Sequence, residues 1–419
     1  MERPTEQRQH SEVNRAPSQL SGYAWAVVAL LWPVAMLNYL DRQMLATIRA
    51  SIRADMPSIV DDQHFGTLMA VFMWVYAFLS PVGGYVADKI NRRLMVILSL
   101  FVWSVVTWLT GHAHTYSQML VTRASMGISE AFYMPAALAL ITDFHTGGTR
   151  AKAVGIHQSG IYAGLALGGI GGFIAQTSSW RNCFTWFGIA GVLYAVVLMM
   201  TLRDAPVAHE AEGTKKVTVL KTLGALWSQP AFWILVIYFT LPAIAGWIMK
   251  NWLPTFLGDK FNLNEGVAGI SATSYSQIAS LIGVVLGGAL ADWWMRRTNR
   301  GRIFTSALGV LLLVPAMLGL GLAWSLAAAI GFMILFGIGW GFFDCNNMPI
   351  LCQIARPEHR ATGYGFMNMI SISVGACTAI GLGWMRDHHM PFSLAFTASA
   401  VLALVSAGLI LLVKPKIET

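Results

Sequence analysis

Asp41 and Arg42 interrupt one long apolar segment of this chain, and Arg123 and Glu130 interrupt another. A charged side chain in hydrocarbon costs on the order of 3 kcal/mol or more, so it persists where it faces a protein interior or a water-filled path. Two carboxylates beside two guanidiniums in such a path can bind an anion and carry a proton. Arg123 and Glu130 are seven residues apart, two helical turns, and so share a face. Asp41 lies about 18 residues into its segment, roughly 27 Å of helical rise. That places Asp41 and Arg42 in the outer part of one helix, level with Arg123 of an oppositely directed helix, with Glu130 deeper. The set reads as a ladder for a proton and an anion, with Glu130 and Asp41 as the proton sites. The structural alternative has Asp41 neutralising Arg123, both inert, while Arg42 snorkels outward. Buried ion pairs stabilise poorly relative to apolar packing, which weighs against two purely structural pairs. Glu130 is the hardest to explain structurally, because Arg123 is the one evident partner on its own helix.

The elements that must position these residues are transmembrane helices. The chain has 419 residues, 56% hydrophobic and 11% charged, with a mean hydropathy of +0.58; a soluble protein carries about 25% charged residues. A spanning helix needs about 20 predominantly apolar residues. Segments of that kind begin near Tyr23, Phe65, Leu94, Met119, Ala151 and Cys183, and again near Pro230, Gly266, Phe304, Leu326, Ala361 and Phe392. Twelve spans predict an all-α integral membrane protein with no room for a soluble domain. Residues 1–20 and 414–419 are tails, 21–203 and 229–413 are six-helix halves, and 204–228 is the polar central loop.

The net charge of +8 is a topology signal and excludes nucleic acid as the partner. Lys89, Arg92, Arg93, Arg150, Lys152, Arg203, Lys215, Lys216, Lys221, Arg296, Arg297, Arg300, Arg302, Arg356, Arg360, Lys414 and Lys416 fall on one side of a twelve-span arrangement, with Arg3, Arg8 and Arg15. The other side holds Arg49, Arg53, Arg181, Lys250, Lys260 and Arg386. The bias puts both termini in the cytoplasm of a cell with this protein in its inner membrane. The polar N-terminal residues lack the apolar core of a secretory signal, so the first span is expected to be retained behind a short disordered tail. Cys183, Cys345, Cys352 and Cys377 have no close ligand spacing and read as buried small hydrophobes.

The chain repeats itself. Gly84-Tyr-Val-Ala-Asp88, leading into Lys89, Arg92 and Arg93, matches Gly288-Ala-Leu-Ala-Asp292, leading into Arg296 and Arg297. Arg150 through Gly155 matches Arg360 through Gly365, and Glu130 through Pro135 aligns with Asp344 through Pro349. Parallel repeats of this kind put a substrate at the midplane between halves that rock about it.

Gly84-x-x-x-Asp88-Lys89-x-x-Arg92-Arg93 resembles the signature loop of the major facilitator superfamily, and the resemblance covers nearly the whole chain. Asn91 stands where that signature usually has glycine. The small residue permits close packing, the aspartate can accept from helix amides of the other half, and the basic pair latches the cytoplasmic face. Asp292 and Arg296 are the second-half counterparts. Span five carries Gly155, Gly160, Gly164, Gly168, Gly169, Gly171 and Gly172, many four apart, which predicts a helix face for close packing. The Gly-Pro hallmark of drug/proton antiporters is missing, since Leu165 follows Gly164.

Asn38-Tyr39-Leu40-Asp41-Arg42, with Arg123 and Glu130 in span four, resembles the anion:cation symporter family, and Asn251-Trp-Leu-Pro254 resembles its Trp-Leu-Pro turn. That resemblance implies proton-coupled symport of a sugar acid or other organic anion. It assigns Arg42 to the carboxylate, Tyr39 to a hydroxyl, Asp41 and Glu130 to protons, and Arg123 to their control. Spinster-like lipid transporters are similar too, through Leu37 to Arg42 and Gly127 to Ala131. A non-transporting sensor on this fold is the third class.

Further polar candidates are Asp344, Asn346 and Asn347 in span ten, Asn368, Ser371 and Ser373 in span eleven, and His157, Gln158, Ser159 and Tyr162 in span five. Together they favour a polyhydroxylated anion, while each alone reads equally well as an interhelical hydrogen bond. Asp344 is open between proton site, hydroxyl ligand and gate partner to Lys250. Trp74, Tyr76 and Trp340 are candidates to stack on a ring. The expectation is a monomer that takes a small organic anion and protons, with no cofactor, no metal and no enzymatic chemistry.

Overall fold

The computed structural model describes residues 17–87, 89–145, 147–204 and 219–415. Asp88 of the signature loop, most of both tails and most of the central loop lie outside them. The described residues form helices and short connections, with no strand. Eleven helices among them are long and apolar enough to cross a membrane. The remaining span is the fifth, which is divided into Arg150–Leu167 and Ile170–Thr177. All twelve segments expected from hydropathy are therefore present.

Local chemistry sets where several spans begin. Thr115 and Gln118 form a reciprocal capping box at the start of span four, Tyr116–Phe144, which carries Arg123 and Glu130. Asn91 caps span three, Arg92–Gly111, by accepting from the amide of Leu94 at 2.8 Å. Glycine there would have left that amide without a side-chain acceptor, so the departure from the signature has a local reason. Asn264 and Ser325 cap spans eight, Glu265–Met295, and ten, Leu326–Asp344, in the same way. Pro33, Pro81, Pro135, Pro242 and Pro315 lie inside spans, where neighbouring helices tolerate the lost backbone bond.

The glycines of span five do what their spacing predicts. A Cβ on Gly160, Gly164, Gly168 or Gly171 would strike Trp32, Met36, Gln43 or Met44, a stretch of about three turns of span one, Pro17–Thr47. Gly169 and Gly172 face the other way, onto the backbone of span eight at Gly269, Ile270 and Glu265. The division at Gly168–Gly169 therefore falls where one segment must approach two helices at once. Gly155 has open space beside it and is the exception.

The two halves meet tightly at one end, here called the sealed end. Span two, Asp62–Ala87, packs along span eleven, Pro357–Asp387, with Gly66 against the Ala379 backbone and Gly383 against that of Asp62. A short helix, Arg49–Asp55, follows span one, and another, Leu253–Phe261, follows span seven, Pro230–Asn251. Arg49 and Arg53 of the first half and Arg386 of the second all pair with Asp62, and Arg386 also holds Asp259 at 2.6 Å. Asp387 accepts from the amides of Asp62 and Gln63, both at 2.9 Å, capping span two from the opposite half. Glu265 likewise accepts from the amides of Ala50 and Ser51. At the other end the ion pairs stay within a half: Arg92 with Asp143, and Arg302 with Asp292 at 3.0 Å. Lys89 lies over its neighbour Tyr85, Arg93 donates to the Met199 carbonyl, and Arg296 is exposed. Gly84, the small residue of the signature, has open space beside it.

Candidate functional site

Spans one, two, four, five, seven and eleven enclose a central cavity of about 60 Å³. At roughly 15 Å³ per water that is room for about four water molecules. Tyr39, Arg42, Phe72, Tyr76 and Arg123 line it from the first half, and Trp247, Lys250, Asn251 and Ile372 from the second. Three cations therefore face one small space.

Arg42 is held on several sides. Its Nε donates to Glu130 Oε2 at 2.6 Å, joining spans one and four. Its guanidinium lies 4.6 Å from the Tyr39 ring centroid, 5.0 Å from Phe72 and 4.4 Å from Tyr76. Each such contact is worth about 0.5–2 kcal/mol, more when desolvated. Glu130 is fully buried, and its second oxygen has no hydrogen-bond partner among the described residues. Asn38, also buried, adjoins it.

Helical spacing made Arg123 the evident partner of Glu130, and the structure differs. Arg123 donates to its neighbour Met126 Sδ at 3.1 Å and lies 4.8 Å from the Phe72 ring, which Arg42 also contacts. Seven residues place two side chains on one face but two turns apart, about 10.5 Å along the axis; span one supplies the nearer cation. Asp41 does not neutralise Arg123 either. It is buried and accepts from Thr107 Oγ1 of span three at 3.1 Å. The four residues with which the chemistry began thus divide into one ion pair and two separately held charges.

The second half contributes Asp344 and Lys250. Asp344 accepts from Tyr162 of span five at 2.9 Å, a tie across the halves. Lys250 was counted with the loop charges because it ends an apolar run, but it lines the cavity. Its Nζ lies 4.9 Å from the Trp247 ring and 5.6 Å from Trp340, and its carbonyl accepts from Gln43 of span one at 2.7 Å. Tyr76 thus lines the site, Trp340 stands behind Lys250, and Trp74 does not line the cavity.

The amide candidates are less central. Asn346 is buried and donates to the Phe342 carbonyl at 2.9 Å, while its oxygen faces Arg302 at 3.5 Å. Asn347 is buried with both amide atoms unpartnered among the described residues, and Gln158 is half-buried with its oxygen in the same condition. Asn368 adjoins Tyr364. None of the four lines the cavity in this conformation. His157 is a core histidine, its Nε2 2.9 Å from the Tyr133 hydroxyl. The cysteines are free, and Cys377 is exposed rather than buried.

Phe72 and Trp247 carry no signal in the sequence that separates them from core aromatics, and Lys250 enters there as a loop charge and a gate partner for Asp344. A lysine eight residues after an in-span proline, where Asp41 also stands eight after Pro33, was the available clue.

Comparison with known proteins agrees with this architecture. The family model described as Major Facilitator Superfamily matches residues 20–380. Protein spinster of Drosophila melanogaster is 27% identical over 86% of this chain, which spans 62% of that protein's length. The hexuronate transporter of Bacillus subtilis (strain 168) is 24% identical over 93% of this chain and 94% of its own. Among solved structures, a bacterial homolog of the human lysosomal transporter Spinster, inward-facing and unoccupied, superposes with a TM-score of 0.77 at 20% identity, covering 95% of this chain and 98% of that one. At that identity the likeness shows the fold.

Proposed function

The chain belongs to the Major Facilitator Superfamily, and we propose that it is a proton-coupled symporter of a small organic anion, most simply a sugar acid, working by rocker-switch alternating access. The observation that carries this reading is the Arg42–Glu130 pair in the cavity wall, at 2.6 Å. Arg42 is the natural partner for a substrate carboxylate, but Glu130 already occupies it. A proton on Glu130 removes that competitor and leaves the guanidinium, held among three rings, for the substrate.

Charge balance gives the coupling its sign. Arg42, Arg123 and Lys250 line the cavity, and Glu130, Asp41 and Asp344 lie behind its wall, bonded to Arg42, Thr107 and Tyr162. With all six ionised the site is neutral, and an added carboxylate makes it negative. With Glu130 protonated the site is positive by one, and the carboxylate restores neutrality. The loaded site then crosses the low-dielectric interior at lower cost than either half-loaded form. Asp41, held by Thr107, is the second proton site, and Tyr39 positions the substrate beside Arg42. Arg123, across Phe72, holds the local potential positive.

The charge bias of the loops supports a sealed end outside the cell and both termini in the cytoplasm, with the protein in the inner membrane. The conformation is then closed to the outside, with Asp62 and Arg386 as the latch. The protein works as a monomer and returns its cargo chemically unchanged. A spinster-like amphiphile carrier is the second reading, favoured by the apolar part of the lining, Met69, Met73, Leu165 and Ile372.

Proton entry into liposomes containing the purified protein tests the proposal. Glucuronate or gluconate outside should acidify the lumen with wild type and not with Glu130→Gln. Acidification triggered by lysophospholipid alone would replace the sugar acid by an amphiphile. Sugar-acid uptake with no proton movement would end the symport reading.

A further inference from the structure

Lys250 is the cation that the second half presents to the cavity, and like Arg123 it makes no ion pair among the described residues. Arg42 has Glu130 at 2.6 Å. Asp344, the second-half carboxylate, is bonded by the Tyr162 hydroxyl at 2.9 Å and makes no ion pair within 4.0 Å of Lys250 among the described residues. The Lys250 ammonium instead rests on ring faces, 4.9 Å from Trp247 and 5.6 Å from Trp340. Ring quadrupoles offset part of the cost of withdrawing an ammonium from water, not all of it.

The surroundings of Lys250 are built rather than incidental. The Trp247 ring fits because position 375 is glycine, since a Cβ there would strike the indole. The Trp340 ring fits because position 246 is glycine, for the same reason. Gln43 ties the Lys250 carbonyl to span one at 2.7 Å, so the backbone below the ammonium is fixed against the first half. Lys250 and Arg42 thus face one cavity from opposite halves, each framed by aromatic rings.

We propose that Lys250 is a second anion-binding residue, and that the cargo carries two anionic groups, one for Arg42 and one for Lys250. The proposal rests on the reading of this cavity as an organic-anion site and narrows it to dicarboxylates. A cargo with one carboxylate satisfies Arg42 and leaves the ammonium on its rings. A dicarboxylate satisfies both cations and connects the two halves across the cavity. The backbone hydroxyls of such a cargo meet Tyr39 and Tyr76, and its second charge sits against the Lys250 ammonium, with a second proton, on Asp41, keeping the loaded site neutral.

The test compares D-glucarate with D-gluconate, which differ only in a carboxylate or a hydroxymethyl at one end. Each competes for uptake of labelled D-glucuronate into liposomes containing the full-length protein. Wild type should be inhibited by glucarate at a concentration at least tenfold below that of gluconate. Lys250→Gln should bring the ratio close to one by weakening glucarate and leaving gluconate unchanged, and Lys250→Arg should keep the preference. Equal inhibition by the two acids in wild type overturns the proposal without reference to any variant. A glucarate preference that survives in a folded Lys250→Gln protein, checked by its melting temperature, overturns the role of Lys250. Uptake and binding of no organic acid at all would overturn the underlying anion reading as well, and so differs from a transporter that treats both acids alike.

Discussion

The charged cluster at the sealed end and the one around the cavity use the same residue types to opposite ends. At the sealed end, Asp62 gathers Arg49, Arg53 and Arg386, and the last of these comes from the other half. Asp387 and Glu265 each reach across to helix amides of the first half. In the cavity the principal pair, Arg42 with Glu130, lies wholly within the first half. Bonds that cross the halves must break whenever this end opens, so they set the balance between conformations. A pair inside one half survives the movement and is free to respond to a proton or an anion instead. What distinguishes the ion pairs of the sealed end from that of the cavity is which helices the partners sit on, not the chemistry of the pair.

Several substitutions would break that distinction or sharpen it. The largest effect is expected for Glu130→Gln, which removes the proposed proton acceptor while keeping the shape: proton-coupled uptake should fall by about 100-fold or more, with exchange of anion across the membrane retained. Loss of exchange together with coupling would show that Glu130 does more than carry a proton. Next comes Arg42→Lys, in which a point charge replaces a planar fork stacked among rings. Uptake should weaken about tenfold or more, read as a rise in half-saturating anion concentration.

At the sealed end Asp62→Asn leaves Arg49 and Arg386 without their shared carboxylate. The sealed form should lose about 1–3 kcal/mol, the cost of an imperfectly paired and partly buried charge. Distances between spin labels placed on Gln63 and His388 should lengthen in the variant, and anion affinity measured on the opened form should hold. An unchanged distance distribution would remove Asp62 from the latch. The smallest effect is expected at Thr107→Val, which deletes one hydrogen bond to Asp41, worth about 1 kcal/mol. A modest shift in the pH dependence of uptake, with unchanged maximal rate, is the outcome to look for.

Much of the scaffold was legible before any coordinates. Twelve apolar segments, the loop charges and the duplicated Gly-x-x-x-Asp led to the right architecture, because in hydrocarbon the backbone must satisfy itself and length alone almost dictates a helix. The glycines of span five were legible as a packing face, and they pack on span one turn by turn. The pairing inside the site was not. Arg123 and Glu130 share a helix face, yet the nearer cation came from a residue 88 positions away in the chain. Lys250, at the end of an apolar run, reads as a loop charge, and only the packing of span seven beside span one, where Gln43 bonds the Lys250 carbonyl, shows that it faces inward.

The sequence by itself determined that this chain crosses a membrane many times, that its halves are related, and that Asp41, Arg42, Arg123 and Glu130 lie at depth. Those facts depend on hydropathy, periodicity and the cost of burying charge, all local or additive along the chain. Tertiary structure alone decided that Glu130 holds Arg42, that both guanidiniums rest against Phe72, and that Lys250 faces the cavity. Such outcomes depend on which helices lie side by side and on the few ångströms between their side chains. Coulomb and cation–π energies change steeply over that range, and no spacing along the chain encodes it.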